Sequence, residues 1–219
     1  MTLAICIPSR GRPGRIEAVV KNIRETTEDF NLYYVIEDSA SAKILNGLDV
    51  QYWELPGSTY VEKINFCAKA TSEDYFVCGT DGMIFSPEWW VRPLYAVSVV
   101  HGAARIGGGG NAILIDRGYI ESGCCVDAPG FVYNPEYIHW YCDWEVMDTA
   151  RARGRLVRCG RQPIGDLPYP GDETQRMMMA AWSHDEKLYK ERQPLVAAIK
   201  PEISMVVNHA TDEIQVFPL

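Results

Sequence analysis

Residues 3–12, Leu3-Ala4-Ile5-Cys6-Ile7-Pro8-Ser9-Arg10-Gly11-Arg12, decide the architecture. Five consecutive apolar side chains leave no polar face, the pattern of a strand covered on both sides, and Pro8 stops the run. Such a strand belongs to a sheet layered between helices. The next residues agree: after the Gly/Pro-rich turn at 11–14, Ile16, Val19, Val20 and Ile23 recur at helical spacing. The unit then repeats. Leu32-Tyr33-Tyr34-Val35-Ile36 is a second apolar run, ended by Glu37-Asp38-Ser39, and residues 50–55 make a third, closed by Pro56-Gly57. Residues 60–70 read as a helix with Val61, Ile64, Cys67 and Ala68 on one face. Tyr75-Phe76-Val77-Cys78 is a fourth strand, ended by Gly79-Thr80-Asp81-Gly82. Alternation of this kind predicts an α/β fold with a mostly parallel, Rossmann-like sheet flanked by helices, whose ligands bind beyond the strand C-termini.

Beyond residue 85 the periodicity weakens. A helix is predicted from about 87 to 100, a strand at 112–115, a helix at 143–153, an edge strand at 155–158 and a helix at 174–192. Between them lie the glycine run 107–110, an irregular stretch to about 140 and a Pro/Gly-rich loop at 163–172. The expected organisation is a single domain: a core over 1–160, completed by a helical and extended segment over 161–219.

Composition limits what such a domain does. The 219 residues are 47% hydrophobic and 23% charged, with six Trp and twelve Tyr, which excludes intrinsic disorder. No run reaches the roughly 18 apolar residues of a membrane span, and the start does not read as a signal peptide. Seven cysteines, an odd number without CxxC spacing, point to reduced thiols and a cytoplasmic setting. A net charge of −8 disfavours broad binding to polyanions.

The polar residues fall where the strands end: Ser9-Arg10 after the first, Glu37-Asp38 after the second, Asp81 after the fourth. Turns favour such residues for their own reasons, so each position alone has a bland reading. Asp81 between Gly79 and Gly82 is placed either to hold Mg²⁺ or Mn²⁺ together with substrate phosphates or to cap the next helix. Asp143 and Glu145 point about 200° apart on a helix, so only one of them faces a given cleft. Beside Trp140 and Trp144, a carboxylate with a raised pKa suits a general base; the alternative is an N-cap at Asp143 and a solvated Glu145. The glycine run lacks GxGxxG and Lys-Ser/Thr, so it is neither a dinucleotide fingerprint nor a P-loop. Cys124-Cys125 has no supporting His and reads as buried and inert.

Taken in order, these features resemble the GT-A glycosyltransferases of the family 2 type. The family's strand-and-turn motif looks like Ile7-Pro8-Ser9-Arg10-Gly11-Arg12, and its acidic second-strand motif is similar to Val35-Ile36-Glu37-Asp38-Ser39. Lys63-Ile64-Asn65 resembles its Asn-bearing helix, and Phe76–Asp81 its DxD strand end, followed by Phe85-Ser86-Pro87-Glu88-Trp89-Trp90. Its base-bearing segment looks like residues 123–154, with Tyr141, Asp143, Glu145, Arg151 and Gly154. The resemblance covers about residues 3–160 and implies transfer of a sugar from a nucleotide-sugar donor, UDP-linked by preference, to an acceptor hydroxyl with inversion. It implies that Pro8, Ser9, Arg10 and Arg12 line the nucleotide pocket and that Asp38, beside Glu37, binds the base. Lys63 and Asn65 would meet the ribose or diphosphate. Asp81, next to Thr80, would ligate Mn²⁺ or Mg²⁺, and Asp143 would be the general base, with Glu145 next in line.

Three departures stand out. Gly79 replaces the first acidic residue of DxD, Cys142 stands where the family usually has Glu, and Gln162 falls near the family's later metal-binding His. Either His184 or His209 would then complete the metal set, or metal binding would be weak, a lone His being more often structural. Two other classes fit the same fold: a nucleotidyltransferase, and a non-catalytic nucleotide-sugar-binding module. The acceptor is left open among a small molecule, a glycan terminus and a modified DNA base, the last requiring Arg151, Arg153, Arg155, Arg158 and Arg161 to form a basic stripe. The proposed chemistry requires Asp38, Asp81 and Asp143 to surround one cavity.

Overall fold

The first apolar run becomes β1 (Leu3–Pro8), every residue of which is buried. In the computed structural model the residues described are 1–107, 112–158, 164–167, 171–208 and 213–218. β1 lies inside a seven-stranded sheet, paired in parallel with β2 (Phe30–Ile36) on one side and β4 (Tyr75–Cys78) on the other. β3 (Gln51–Glu54) extends one edge in parallel. Beyond β4 come β7 (Ile113–Asp116), β6 (Ala103–Arg105) and β8 (Leu156–Arg158), so the order is β3-β2-β1-β4-β7-β6-β8. β7 is antiparallel to both neighbours and β8 is parallel to β6, leaving β7 as the one reversed strand of this sheet. The mostly parallel α/β fold and the edge position of residues 156–158 match the sequence expectation.

Alternation along β1 sorts the core into two layers. Leu3, Ile5 and Ile7 pack with Ile16, Val19, Val20 and Ile23 of α1 (Pro13–Thr26). Burial of those four side chains contributes about 1.5–3 kcal/mol each relative to exposure. Ala4 and Cys6 face the other layer, with Val61, Ile64 and Cys67 of α3 (Tyr60–Ala70) and Val146 of α6 (Cys142–Ala152). α3 starts at a reciprocal capping box: Thr59 Oγ1 accepts from the Glu62 amide at 3.1 Å, and Glu62 Oε2 accepts from the Thr59 amide at 2.7 Å. That cap fixes the register that later carries Tyr60 and Lys63 to the sheet edge.

Several elements go beyond the sequence reading. α2 (Ser39–Gly47) follows β2 directly, and α5 (Arg117–Ser122) follows β7. β5 (Met83–Phe85) pairs with β9 (Ile164–Asp166), which places a strand inside the expected 163–172 loop. α4 (Val91–Val100) begins later than expected, after two turns, whereas α7 (Glu173–Ala197) is longer and carries Pro194. β10 (Ile203–Asn208) and β11 (Glu213–Pro218) form an antiparallel pair. Most of the glycine run, residues 108–110, lies outside the described residues. Among the described residues no helix is long and apolar enough to cross a membrane. The six cysteines among the described residues are free and buried, including Cys124 and Cys125, whose thiols burial pushes well up.

Candidate active site

A cleft of about 240 Å³ opens where β1 and β4 end. Pro8, Ser9, Arg10 and Arg12 reach it from the turn after β1, Tyr60 and Lys63 from the first turns of α3, and Thr80 and Asp81 from the turn after β4. His139, Thr174, Met177 and Met178 close it from the α7 side. Seven of the sequence-predicted residues, Pro8, Ser9, Arg10, Arg12, Lys63, Thr80 and Asp81, are therefore brought together.

Asp81 is 5% exposed and held from both sides. Ser9 Oγ donates to its Oδ2 at 2.9 Å, and Arg12 Nη1 donates to its Oδ1 at 3.1 Å. The rest of the Arg12 guanidinium grips Asp172, with Nε at 2.7 Å and Nη2 at 2.9 Å. Those bonds hold the Asp172 carboxyl down at about 2, below the usual carboxylate range. Asp172 is also the N-cap of α7, accepting from the Gln175 amide at 2.9 Å. Thr174 Oγ1 donates to the Arg10 carbonyl at 2.9 Å, a second link between α7 and the β1 turn. Glu37 stands behind the cleft, taking Arg10 Nε at 2.9 Å and the Lys63 ammonium as ion-pair partners. Burial lowers the Lys63 pKa against the opposing pull of Glu37.

Gly79 explains the incomplete DxD. A Cβ at this position would lie 2.4 Å from Ile7 Cδ1 and 2.9 Å from the Cys6 carbonyl oxygen. A side chain there would force Ile7 and the Cys6 carbonyl to shift, and Asp81 is the acidic residue that turn offers. Among the described residues no group of three or more His, Cys, Asp or Glu is arranged to hold a metal ion. A single carboxylate fits an Mg²⁺- or Mn²⁺-type site completed by substrate phosphates and water, and does not fit an all-protein cage.

The other expected site residues are placed elsewhere. Asp38 does not line this cleft; its carboxylate caps α2, taking the Ser41 amide at 2.8 Å and the Ser41 hydroxyl at 2.9 Å. A residue at a strand end that also precedes a helix is drawn to the cap. Asn65 turns into the core, bonding the Val132 and Tyr133 amides and the Tyr133 carbonyl at 2.9–3.1 Å. Glu145 is fully buried in a two-point ion pair with Arg192, at 2.8 and 3.0 Å, which occupies the carboxylate expected as a reserve base. His184 is on α7 with Nδ1 3.0 Å from Asp185, apart from the Asp81 cleft lining, and His209 lies outside the described residues.

Asp143 sits in the first turn of α6, 3% exposed, and its Oδ2 is buried without a hydrogen-bond partner. Burial raises its pKa to about 7, against the opposing backbone amides of its own residue and Trp144. It does not line the cleft. Tyr60 does, and burial pushes its phenol well up, with Cys78, Cys142 and Asp143 adding to the shift. Of Asp38, Asp81 and Asp143, then, only Asp81 borders the cleft, and the expectation that all three surround one cavity is not met.

The side chains of three residues of the expected arginine stripe are described, and each is paired with a carboxylate. Arg151 pairs with Asp148, while Arg153 and Arg155 both pair with Glu202, at 3.3 and 2.7 Å. The Arg158 side chain and Arg161 lie outside the described residues. Sequence reasoning also missed His139, Asp172 and Asp185, whose partners are long-range; the one local signal was Asp172 standing ahead of a helical pattern.

No protein-family model matches this chain, and no curated protein sequence matches it. Solved structures do. A mannosyltransferase from Pyrobaculum calidifontis, in complex with GDP-Man and Mn²⁺, superposes with a TM-score of 0.65 at 11% identity, over 90% of this chain and 68% of that one. Glucosyl-3-phosphoglycerate synthase from Mycobacterium tuberculosis, in complex with Mn²⁺, UDP-Glc and phosphoglyceric acid, gives 0.62 at 12% identity, over 100% and 87%. TarS from S. aureus gives 0.60 at 8% identity, over 91% and 44%. This chain therefore has the GT-A fold, as its sequence led one to expect; at such identities the likeness establishes the fold alone.

Proposed function

We propose that this protein is a glycosyltransferase that takes a nucleotide-sugar donor in the cleft beyond β1 and β4. The observation that carries this reading is the convergence of Ser9, Arg10, Arg12, Lys63, Thr80 and Asp81 from three separate elements on one cavity. Such a cavity, polar at the strand ends and apolar toward α7, suits a diphosphate joined to a sugar. The cations Arg10, Arg12 and Lys63 supply charge-assisted donors for phosphate oxygens. A divalent ion held by Asp81 and the donor phosphates, as Mn²⁺ accompanies the donors of the structural neighbours, would neutralise charge on the leaving diphosphate.

In the proposed reaction Asp143 removes the proton of an acceptor hydroxyl. That oxygen bonds to the anomeric carbon as the bond from carbon to the diphosphate oxygen breaks, and the nucleoside diphosphate leaves with configuration inverted. A carboxyl with a pKa of about 7 is matched to this task at neutral pH. Asp143 is buried and does not line the cleft, so this step requires a rearrangement that brings its carboxylate to the acceptor. A UDP-sugar is the favoured donor, and a small molecule or glycan terminus the favoured acceptor. The pairing of Arg151, Arg153 and Arg155 with carboxylates weighs against a DNA acceptor.

A second reading, a nucleotide-sugar-binding module without turnover, is favoured by one observation: the would-be base is buried behind the cleft. Release of free sugar from a panel of UDP- and GDP-sugars with Mn²⁺ separates the two. Slow hydrolysis, lost in Asp143→Asn, supports the transferase; tight binding without any hydrolysis or transfer supports the module.

A further inference from the structure

The loop before α6 is held by a buried carboxylate from α7. Asp185 is 0% exposed; its Oδ1 accepts from the Ile138 amide at 3.0 Å, and its Oδ2 from the His139 and Trp140 amides at 2.8 and 2.7 Å. Three backbone donors on one carboxylate fix the loop and with it the His139 ring. That ring packs edge-on against Tyr60 and Trp140, with centroids 4.9 and 5.1 Å away. His139 borders the cleft, yet its Nε2 is buried and has no hydrogen-bond partner. A buried polar atom left unpaired is costly, and on a residue that lines a binding cleft a ligand that pairs it would relieve that cost.

Burial lowers the His139 pKa to about 4; Asp185 opposes the shift, and Arg12 and Lys63 add to it. The imidazole is therefore neutral at physiological pH. A neutral imidazole offers one donor or one acceptor at Nε2, a poor match for phosphate, which Arg10, Arg12 and Lys63 already serve. A hydroxyl both donates and accepts, so it satisfies either tautomer. Met177 and Met178 give this side of the cleft the apolar wall against which a sugar ring packs.

We propose that His139 is the residue that recognises a hydroxyl of the donor's sugar, with Asp185 as the positioning residue that holds it there. This rests on the nucleotide-sugar reading and deepens it.

The test is calorimetric, with four probes and Mn²⁺: UDP, UDP-glucose, GDP and GDP-mannose. For whichever pair the wild type binds, His139→Phe, which keeps the ring packing, should weaken the sugar nucleotide roughly tenfold and leave the free diphosphate unchanged, the scale of one hydrogen bond. His139→Gln, which keeps a donor and an acceptor, should retain most of the sugar increment. Asp185→Ala should reduce the same ratio of sugar nucleotide to diphosphate, which simple destabilisation would not move. Equal weakening of both ligands, or no weakening of the sugar nucleotide, overturns the assignment of His139. A wild type that binds none of the four overturns the donor reading itself, and this inference with it.

Discussion

Arg12 and Asp81 are 69 residues apart in the chain, yet Arg12 Nη1 lies 3.1 Å from Asp81 Oδ1 with both side chains buried. The same guanidinium holds Asp172, 160 residues away, so one cation ties the β1 turn, the β4 turn and the start of α7 together. The nucleotide side of the cleft is built around that knot.

Arg12→Ala should accordingly lose both structure and binding. It leaves Asp81 buried without its cation and frees the cap of α7, a cost of about 3 kcal/mol for an uncompensated buried charge. Urea unfolding should register that loss, and nucleoside diphosphate affinity should fall by at least tenfold in the folded protein. Arg12→Lys, which lacks the fork that reaches two carboxylates, should rescue little. Full nucleotide affinity in Arg12→Ala would remove the guanidinium from the site.

Asp143 ties activity to pH. A base with a pKa of about 7 must be ionised, so kcat/KM should rise with pH through about 7 and level off above it. Stability should run the other way. The folded state binds the Asp143 proton more tightly than the unfolded chain, whose carboxylates titrate near pH 4, so that contribution is present below about pH 4 and is lost as pH rises through about 7. Asp143→Asn should lower turnover by orders of magnitude, leave donor affinity near normal and flatten the decline of Tm between pH 5 and 8. A variant that keeps most of its activity places the base elsewhere.

Glu145 is predicted to be structural. Glu145→Ala strands the Arg192 guanidinium in the core, a loss of about 3–5 kcal/mol, and should lower Tm on the order of 10 °C. A variant with native Tm and depressed turnover would return Glu145 to the list of candidate bases.

Gly79→Asp tests whether the missing DxD carboxylate is restorable. Its Cβ would collide with Ile7 and the Cys6 carbonyl, so the substitution should destabilise by about 1–3 kcal/mol and leave Mn²⁺ affinity no better than wild type. Tighter Mn²⁺ binding at unchanged stability would show that the β4 turn adapts.

The parts of this molecule legible in sequence were those set by burial on both faces. β1 and β4 are unbroken apolar runs at 0–7% exposure, and α1 shows its buried stripe at Ile16, Val19, Val20 and Ile23. Three-residue strands such as β5, β6 and β9 carry no period to detect. At the site, residues carried by the strand-end turns were readable because a parallel sheet gathers them at one edge. Asp38 and Asn65 were misleading: each is polar near that edge, yet one caps a helix and the other braces a loop. Asp172, Asp185 and His139 owe their places to contacts spanning 45 to 160 residues, which no local pattern encodes.

The most direct test of the donor cleft is calorimetric titration of the wild type and Asp81→Asn with UDP, GDP and TDP, each with and without Mn²⁺. Saturable binding of one nucleotide, strengthened by Mn²⁺ in the wild type and with that strengthening lost in Asp81→Asn, is the predicted result. Absence of binding for all three, or binding indifferent to the loss of the Asp81 charge, would contradict it.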